Sequence, residues 1–167
     1  KVYREIGDLG KDKYLFIKDS GILEESIKKK FVIKTKEITD KNLIDELPLS
    51  KFILEHETIN YISFPYEWCF YQLKEAALHH LRFQLYLLDK NAILVDSSAY
   101  NIQFSGNKPL FIDVLSIDKY KEGMYWTGHK QFCENFLNPL LLSSKKNISF
   151  NNWFKGNLEG ISTNDLN

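Results

Sequence analysis

The chain has 167 residues, which suits one domain or two small lobes that share a cleft. Apolar residues make up 44% and charged residues 26%, a composition that can bury a core and that excludes wholesale disorder. Because 22 basic residues balance 22 acidic ones, the net charge is zero and gives no whole-chain attraction to nucleic acid. No nucleic-acid partner is therefore expected. No apolar run approaches the roughly 18–20 residues of a membrane span and no signal peptide is visible, so a cytoplasmic location is the default expectation.

The amino-terminal part of the chain, residues 1–65, is predicted to form a small β-rich lobe. Residues 2–6 are predicted as a strand that pairs with a second strand at residues 14–18 across a turn that contains Gly7 and Gly10. The apolar spacing in residues 21–31 predicts a helix. Strand-like stretches follow at residues 31–38 and 61–64, the latter closed by Pro65.

The remaining residues, 66–167, are predicted to form a mainly helical lobe. A long one-faced helix is expected over residues 66–90, with its core-facing residues at Phe70, Leu73, Ala77, Leu81, Leu85 and Leu88. Of the adjacent His79 and His80, one is expected to be partly buried and the other exposed. A short buried strand at 92–95 and a β-hairpin across the Gly106–Asn107 turn come next. A last helix is expected over residues 126–143, with a kink or break at Pro139 and with Phe132, Phe136, Leu137, Leu140 and Leu141 inward.

These elements indicate an α+β fold rather than an alternating βαβ pattern. We expect one compact two-lobe unit. The chain begins at Lys1 rather than at a methionine, so it is expected to be a piece of a longer protein.

Three polar residues around the predicted hairpin have the spacing that phosphoryl transfer requires. Asp96 and Asn101 lie five residues apart in one loop, and Asp113 ends the second hairpin strand. The hairpin is expected to bring Asn101 close to Asp113. Phosphoryl transfer needs a carboxylate near the attacking hydroxyl and oxygen ligands for Mg²⁺, both of which this set supplies. The alternative is loop capping, because Asp and Asn side chains also hydrogen-bond their own backbone in turns.

This stretch resembles the catalytic segment of protein-kinase-like enzymes, especially the aminoglycoside-phosphotransferase and small-molecule kinase branch. By that resemblance, Asp96 matches the catalytic Asp, whereas Asn101 and Asp113 match the metal-binding Asn and Asp. The resemblance implies ATP and Mg²⁺ as cofactors, and a small β-rich lobe followed by a helical lobe with a catalytic-loop hairpin. The sequence departs from the kinase pattern where Leu94–Val95 replace His-Arg and Val114–Leu115 replace Phe-Gly.

The nucleotide phosphates have weaker candidates. Gly7 and Gly10, between the two predicted strands, are the only candidate phosphate loop, and no full Gly-x-Gly-x-x-Gly exists. Lys18 and Lys34 are both candidates for the phosphate-binding lysine, and the sequence does not choose between them. Glu67 follows the last predicted strand of the small lobe and is a candidate for the border of the nucleotide pocket.

A second resemblance covers residues 60–160. The segments 62–68, 73–78, 96–104 and 131–133 are similar to one bacterial family whose members are labelled SAM-dependent methyltransferases, some of them related to nodulation proteins. In that family this segment precedes the cofactor-binding methyltransferase region. No Gly-x-Gly-x-Gly-like loop follows a strand here, so no SAM site is expected in this segment.

Two functions remain open from the sequence. The first is an ATP·Mg²⁺-dependent phosphotransferase that acts on a small-molecule or saccharide hydroxyl. The second is a non-catalytic kinase-like module that accompanies or regulates a methyltransferase domain, either in the same parent chain or in a partner.

Overall fold

The computed structural model describes residues 1–39 and 50–166 and has a mixed α+β fold, as predicted. The strands are β1 (Val2–Ile6), β2 (Thr35–Glu37), β3 (Phe52–His56), β4 (Ala92–Leu94), β5 (Ile102–Ser105), β6 (Lys108–Phe111) and β7 (Ile117–Lys119). The α-helices are α1 (Asp8–Asp19), α2 (Ile22–Lys28), α3 (Phe70–Leu88), α4 (His129–Phe132), α5 (Asn138–Lys146), α6 (Asn151–Gly156) and α7 (Thr163–Leu166). No helix among these described residues is long and apolar enough to cross a membrane.

The front sheet has the antiparallel order β1-β3-β2, with Ile53 and Leu54 of the central strand buried. The predicted partner strand at residues 14–18 is wrong, because that segment belongs to α1. Tyr14 and Ile17, three residues apart, are the buried residues of α1, and this spacing fits a helix rather than a strand. β1 pairs instead with β3, about fifty residues further along the chain.

The strand predicted at residues 61–64 is also wrong. These residues form no strand, and the backbone of Ser63 is hydrogen-bonded to a side chain rather than to a neighbouring strand. The amide group of Gln103 accepts a hydrogen bond from Ser63 N (3.1 Å) and donates one to Ser63 O (3.0 Å). This irregular segment is thereby fixed to β5.

The long helix α3 is confirmed, but only part of its predicted core face is. Leu73 and Ala77 are buried as expected, whereas Leu85 is 64% exposed. The buried face instead includes His80 and Gln84, and His79 is buried as well, so the expectation of one exposed histidine is wrong. Both side chains on that face have polar partners: Gln84 Oε1 accepts from Leu94 N (2.9 Å), and His80 Nε2 lies 3.1 Å from Ser97 Oγ. A polar residue can face a core when its hydrogen bonds are made there; Nδ1 of His80, however, is buried without a partner among the described residues.

The hairpin at Gly106–Asn107 is confirmed. β5 and β6 pair antiparallel from Ile102↔Phe111 to Ser105↔Lys108, which leaves a two-residue loop. Gly106 has a φ of +64°, the left-handed conformation that such a tight loop requires.

The last predicted helix is an unbroken run of helical residues that changes type: α4 is followed by a π-helical segment (Cys133–Leu137), and α5 begins just before Pro139. Asn138 N donates to Cys133 O, five residues earlier. In the same pattern Glu134 O would accept from residue 139, but this residue is Pro139, which has no N–H. Ile161 N donates to Glu134 O instead, at 2.9 Å, and this hydrogen bond fixes the carboxyl-terminal segment to the helix. Phe132 and Phe136 are buried as predicted, whereas Leu137 is 43% exposed and that prediction is wrong.

Candidate functional site

A cleft of about 530 Å³ lies between the front sheet and the β5–β6 hairpin. Its polar lining comes from β1, from the end of β3 and from both ends of the hairpin: Arg4, His56, Glu57, Asn101, Gln103 and Asp113. Its apolar lining includes Val2, Ile33, Ile59, Ile62 and Ile112. A pocket with apolar walls and a few convergent polar groups is the usual form of a small-molecule site.

The hairpin brings Asn101 and Asp113 to this cleft. The first hairpin pair is Ile102↔Phe111; Asn101 directly precedes Ile102 and Asp113 follows Phe111 by two residues, so the two lie at the same end of the hairpin. Ile112 N donates to Asn101 O at 2.8 Å, which extends the pairing by one step. The predicted approach of Asn101 to Asp113 is therefore confirmed as geometry, while their metal-binding role stays a prediction.

The carboxylate of Asp113 is held from two sides. It accepts hydrogen bonds from Leu115 N (3.3 Å) and Ser116 Oγ (2.6 Å) in the turn that follows. Across the cleft, the Arg4 guanidinium of β1 donates to the same carboxylate and forms an ion pair with it. Sequence reasoning missed Arg4. The available signal was its place in the strand, since Arg4 lies two residues before the buried Ile6 and therefore on the inward side of β1.

His56 forms part of the cleft wall beside Arg4. Its side chain is buried and Nδ1 lies 2.9 Å from Thr35 Oγ1. Burial and then the positive charge of Arg4 lower the pKa of His56 below its usual value of 6.5, so the imidazole on this wall is neutral at pH 7.

Asp96 lies on a second, smaller cavity of about 250 Å³. Asp96 Oδ1 accepts from Ser98 N at 2.9 Å, which is the loop-capping contact that the sequence left open. The other lining residues are Ser98, Tyr100, Asn101, Gln131, Asn135, Leu158 and Glu159. Asn101 lines both cavities, so it stands between Asp96 on one side and Asp113 on the other.

The loop that carries Asp96 is held by hydrogen bonds to side chains of the helical residues 129–137. Ser97 N donates to Gln131 Oε1 (2.6 Å), and Ala99 N donates to Asn135 Oδ1 (3.0 Å). Ser97 Oγ contacts His80 of α3, whose burial lowers its pKa to about 3, so this imidazole is neutral at pH 7. Sequence reasoning did not assign Gln131 or Asn135 to the site, because their partners lie more than 30 residues away.

Two buried polar atoms near Asp96 have no hydrogen-bond partner among the described residues. They are Tyr100 Oη and Asn101 Nδ2, and both residues line the smaller cavity. Burial is also the main cause that raises the pKa of Tyr100, so its hydroxyl keeps its proton at neutral pH. An unsatisfied buried polar group costs on the order of 1–3 kcal/mol.

The predicted glycine loop is not a turn between two strands. Gly7 precedes α1 as its capping residue and Gly10 lies inside the first turns of that helix. A Cβ at Gly10 would lie 3.1 Å from Ile6 Cγ2 and 3.2 Å from Leu115 Cδ1, so this glycine permits close packing of α1. The strand–turn–strand setting on which the phosphate-loop prediction depended is wrong, and neither glycine lines the cleft.

The other nucleotide candidates also lie outside the lining of the larger cleft. Lys18 is in α1 rather than in a strand, and its ammonium pairs with Glu37 at 2.7 Å. Lys34 is exposed and lies on a separate groove with Arg82 and Lys108. Glu67 Oε2 accepts from Phe64 N at 2.8 Å and caps the 3₁₀ turn before α3. A role in nucleotide binding stays an untested prediction for these residues.

The described residues, 1–39 and 50–166, contain no group of three or more His, Cys, Asp or Glu side chains that could hold a metal ion. Asn101 and Asp113 supply one amide and one carboxylate group at the cleft. A metal at this place would therefore need further ligands from water or from a bound substrate, which is how proteins usually hold Mg²⁺.

Nodulation protein NoeA of Rhizobium meliloti (strain 1021) is 53% identical to the chain over 114 residues, which is 68% of the chain. That alignment covers 24% of NoeA, so the chain spans about a quarter of the length of this curated relative. The predicted relation to a nodulation protein is thereby confirmed. No protein-family model matches the chain. No solved structure matches it either.

Proposed function

We propose that the chain is the kinase-like part of a nodulation-related bacterial protein and transfers phosphate from ATP·Mg²⁺ to a hydroxyl of a small molecule or saccharide. One observation carries the proposal: Asn101 lines both cavities, with Asp113 in the larger one and Asp96 in the smaller one. A phosphotransferase requires such an arrangement, because the phosphate donor and the acceptor hydroxyl must meet between a metal-binding group and a catalytic carboxylate.

The larger cleft has the features that a nucleotide site needs. Its volume of about 530 Å³ lies within the usual range for small-molecule pockets, and its isoleucine-rich wall suits an aromatic base. In protein kinases, a strand of the small lobe supplies the cation that pairs with the nucleotide phosphates. Arg4 of β1 would take that role here, because a guanidinium can hold phosphate oxygens in a bidentate way.

The donor groups at the hairpin fit Mg²⁺. Carboxylate and amide oxygens are its preferred protein ligands, and Asp113 and Asn101 supply one of each. The bonds from Arg4, Leu115 and Ser116 fix the orientation of the Asp113 carboxylate and use three of its about four acceptor sites, so capacity for one cation contact remains. When bound, Mg²⁺ would neutralise the negative charge of the phosphates during transfer.

Asp96 would act on the acceptor. In the proposed step, an acceptor hydroxyl held by the Asp96 carboxylate attacks the γ-phosphorus of ATP, and a new oxygen–phosphorus bond forms. The bond between the γ-phosphorus and the β–γ bridging oxygen breaks, and ADP leaves with its electron pair. The hydroxyl proton passes to Asp96 and then to solvent.

The proposal is tested by separating binding from transfer. ATP·Mg²⁺ at millimolar concentration is expected to raise the melting temperature, and D113N is expected to abolish the shift. D96N is expected to keep the shift but to lose ADP formation in the presence of acceptor sugars. D89N is the matched control, since Asp89 is exposed at the end of α3 and lines neither cavity. The absence of any shift with the wild-type chain would overturn the proposal.

A second candidate function is a non-catalytic kinase-like module that accompanies a methyltransferase domain. The observation that favours it is that the Asp113 carboxylate already has Arg4, Leu115 and Ser116 as partners. The relative NoeA is also several times longer than the matched segment, which leaves room for another domain in a parent chain of that kind. In this case the wild-type chain is expected to show no phosphate transfer, while its deletion from the parent protein changes substrate use by the methyltransferase.

A further inference from the structure

A groove of about 570 Å³ lies at the turn end of the β5–β6 hairpin, away from Asp113. Its walls come from three separate parts of the chain, namely residues 27–34, the helix α3 and the hairpin turn. The apolar part of its lining is formed by Ile27, Val32, Pro109 and Leu110. Its volume lies within the usual range for small-molecule pockets.

Four cationic side chains line this groove, which we call the basic groove: Lys30, Lys34, Arg82 and Lys108. None of them is among the cations that form ion pairs within the described part of the chain. Since the chain as a whole has no net charge, this concentration of positive charge is local. A concave surface of one sign attracts ligands of the opposite sign.

Two carboxylates limit how much negative charge the basic groove can accept. Glu57 and Glu75 also line it, and neither forms an ion pair with another described residue. The lining therefore has an excess of two positive charges, which matches one phosphate monoester at pH 7. The carboxylates are acceptors that can bind hydroxyl groups of the same ligand. A ligand composed of phosphates alone would only be repelled by them.

We propose that the basic groove is a second binding site, which takes a small phosphate monoester with a hydroxyl-bearing body. The cations hold the phosphate, and the guanidinium of Arg82 can do so in a bidentate way. Glu75 accepts from a hydroxyl of the body, whose carbon side packs on the apolar lining. Glu57 lines the larger cleft as well, so the two sites are neighbours. The binding does not depend on the proposed phosphotransfer.

The test compares D-glucose 6-phosphate with inorganic phosphate and D-glucose, because the first compound combines the groups of the other two. Dissociation constants are measured with the wild-type chain by ligand-observed NMR titration at pH 7 and low ionic strength, without ATP or Mg²⁺. We expect glucose 6-phosphate to bind at least about tenfold more tightly than inorganic phosphate, and glucose to bind without detectable affinity. Equal affinity of glucose and glucose 6-phosphate would overturn the proposal.

Variants without one or two of the cations locate the binding. R82Q/K108Q is expected to weaken glucose 6-phosphate by roughly tenfold, since two of the four charges are lost. K30G is expected to weaken it by roughly threefold. Lys30 has a φ of +60°, a conformation that suits glycine, so this variant is expected to fold. K11Q is the matched control, because Lys11 is exposed on α1 outside the groove, and no change is expected.

E75A tests the hydroxyl-bearing body of the ligand. Loss of the carboxylate relieves the repulsion of inorganic phosphate and glucose 6-phosphate alike, but it removes a hydroxyl acceptor only from the sugar phosphate. The preference for glucose 6-phosphate over inorganic phosphate is therefore expected to fall by roughly threefold. An unchanged preference would overturn the role of Glu75 and with it the assigned class of ligand.

Further outcomes distinguish the basic groove from the larger cleft and from a peptide site. D113N is expected to leave the binding of glucose 6-phosphate unchanged. Binding that is lost in D113N but kept in R82Q/K108Q would overturn the proposal, because the ligand would then occupy the larger cleft. Tighter binding of a tetraglutamate peptide would overturn it in favour of an acidic protein segment. Binding that depends on Arg82 and Lys108, without any effect of ATP·Mg²⁺ on the melting temperature, would uphold the groove and reject the phosphotransfer.

Discussion

Arg4, near the start of the chain, donates to the carboxylate of Asp113, which lies 109 residues further along the sequence. This contact joins the inward side of β1 to the end of the β5–β6 hairpin and crosses the larger cleft. Because Ser116 and Leu115 hold the same carboxylate from the hairpin side, the orientation of Asp113 depends on both parts of the cleft.

The first prediction concerns the energy of this ion pair. In a double-mutant cycle with R4M and D113N, we expect a coupling energy of about 1–2 kcal/mol, since the pair is partly buried and hydrogen-bonded. Urea unfolding of the four proteins provides the measurement. The control cycle uses K28M and E24Q, an ion pair at 2.7 Å whose side chains are 70% and 74% exposed, for which we expect less than about 0.5 kcal/mol. Equal coupling in both cycles would show that the Arg4 contact has no special stability.

The second prediction concerns Gly128, which allows the Asp96 loop to approach the helical part. A Cβ at this position would lie 2.2 Å from Ser97 Oγ and 2.9 Å from Trp126 Nε1. G128A is therefore expected to displace Ser97, to lower the free energy of unfolding by about 1–3 kcal/mol, and to reduce any Asp96-dependent transfer. Urea unfolding and ADP formation give the two readouts.

The double variant G128A/S97A is its control. Removal of Ser97 Oγ eliminates the shortest contact and leaves Trp126 Nε1 at 2.9 Å and Ser97 Cβ at 3.2 Å. The double variant is expected to be more stable than the sum of the two single changes by about 1 kcal/mol. Simple additivity would mean that the crowding at Ser97 does not cause the loss.

Local patterns predicted the hairpin and the juxtaposition that it creates. The Gly106–Asn107 turn determines which residues of β5 and β6 pair, and that pairing alone brings Asn101 to Asp113. The helical conformation of α3 could also be predicted, because its apolar residues recur at helical spacing over about five turns.

Contacts between distant segments were not predictable in this way. Residues 14–18 contain four consecutive apolar residues, which suit either a strand or a buried helix. Tertiary packing of this segment favours the helix, α1. His80 and Gln84 look like solvent-facing residues until their partners Ser97 and Leu94 are placed beside them. The role of Arg4 likewise depends on a residue that only the folded chain brings near it.

The third prediction concerns pH and the buried His80. Burial lowers the pKa of His80 from 6.5 to about 3, so the folded state binds fewer protons than the unfolded state between these values. This contribution to stability is complete above the unfolded-state pKa and is lost as the pH falls, by up to about 1.4 kcal/mol for each pH unit. Burial also lowers the pKa values of His79 and His56, which act in the same direction.

H80F removes this titration while it keeps an aromatic ring among Phe111, Trp126, Phe132 and Phe136. Between about pH 6.5 and pH 5, its free energy of unfolding is expected to fall less steeply than that of the wild type. The difference in slope is expected to be up to about 1.4 kcal/mol per pH unit, which corresponds to one proton. Urea unfolding at several pH values measures the slope. H129F serves as the control, since it makes the same change from histidine to phenylalanine at an exposed position.

The last prediction concerns Gly160, where the carboxyl-terminal segment meets the π-helical segment. Gly160 has a φ of +93°, and a Cβ there would lie 2.2 Å from Glu134 O, the carbonyl that Ile161 N satisfies because Pro139 cannot. G160A is therefore expected to break this contact and to lower the free energy of unfolding by about 2–4 kcal/mol, since strain and a lost hydrogen bond combine. G156A, with open space around its Cβ and helical backbone, is expected to be neutral or slightly stabilising. Equal stability of the two variants in urea would contradict the account, because it would mean that the Ile161–Glu134 contact does not hold the carboxyl-terminal segment in place.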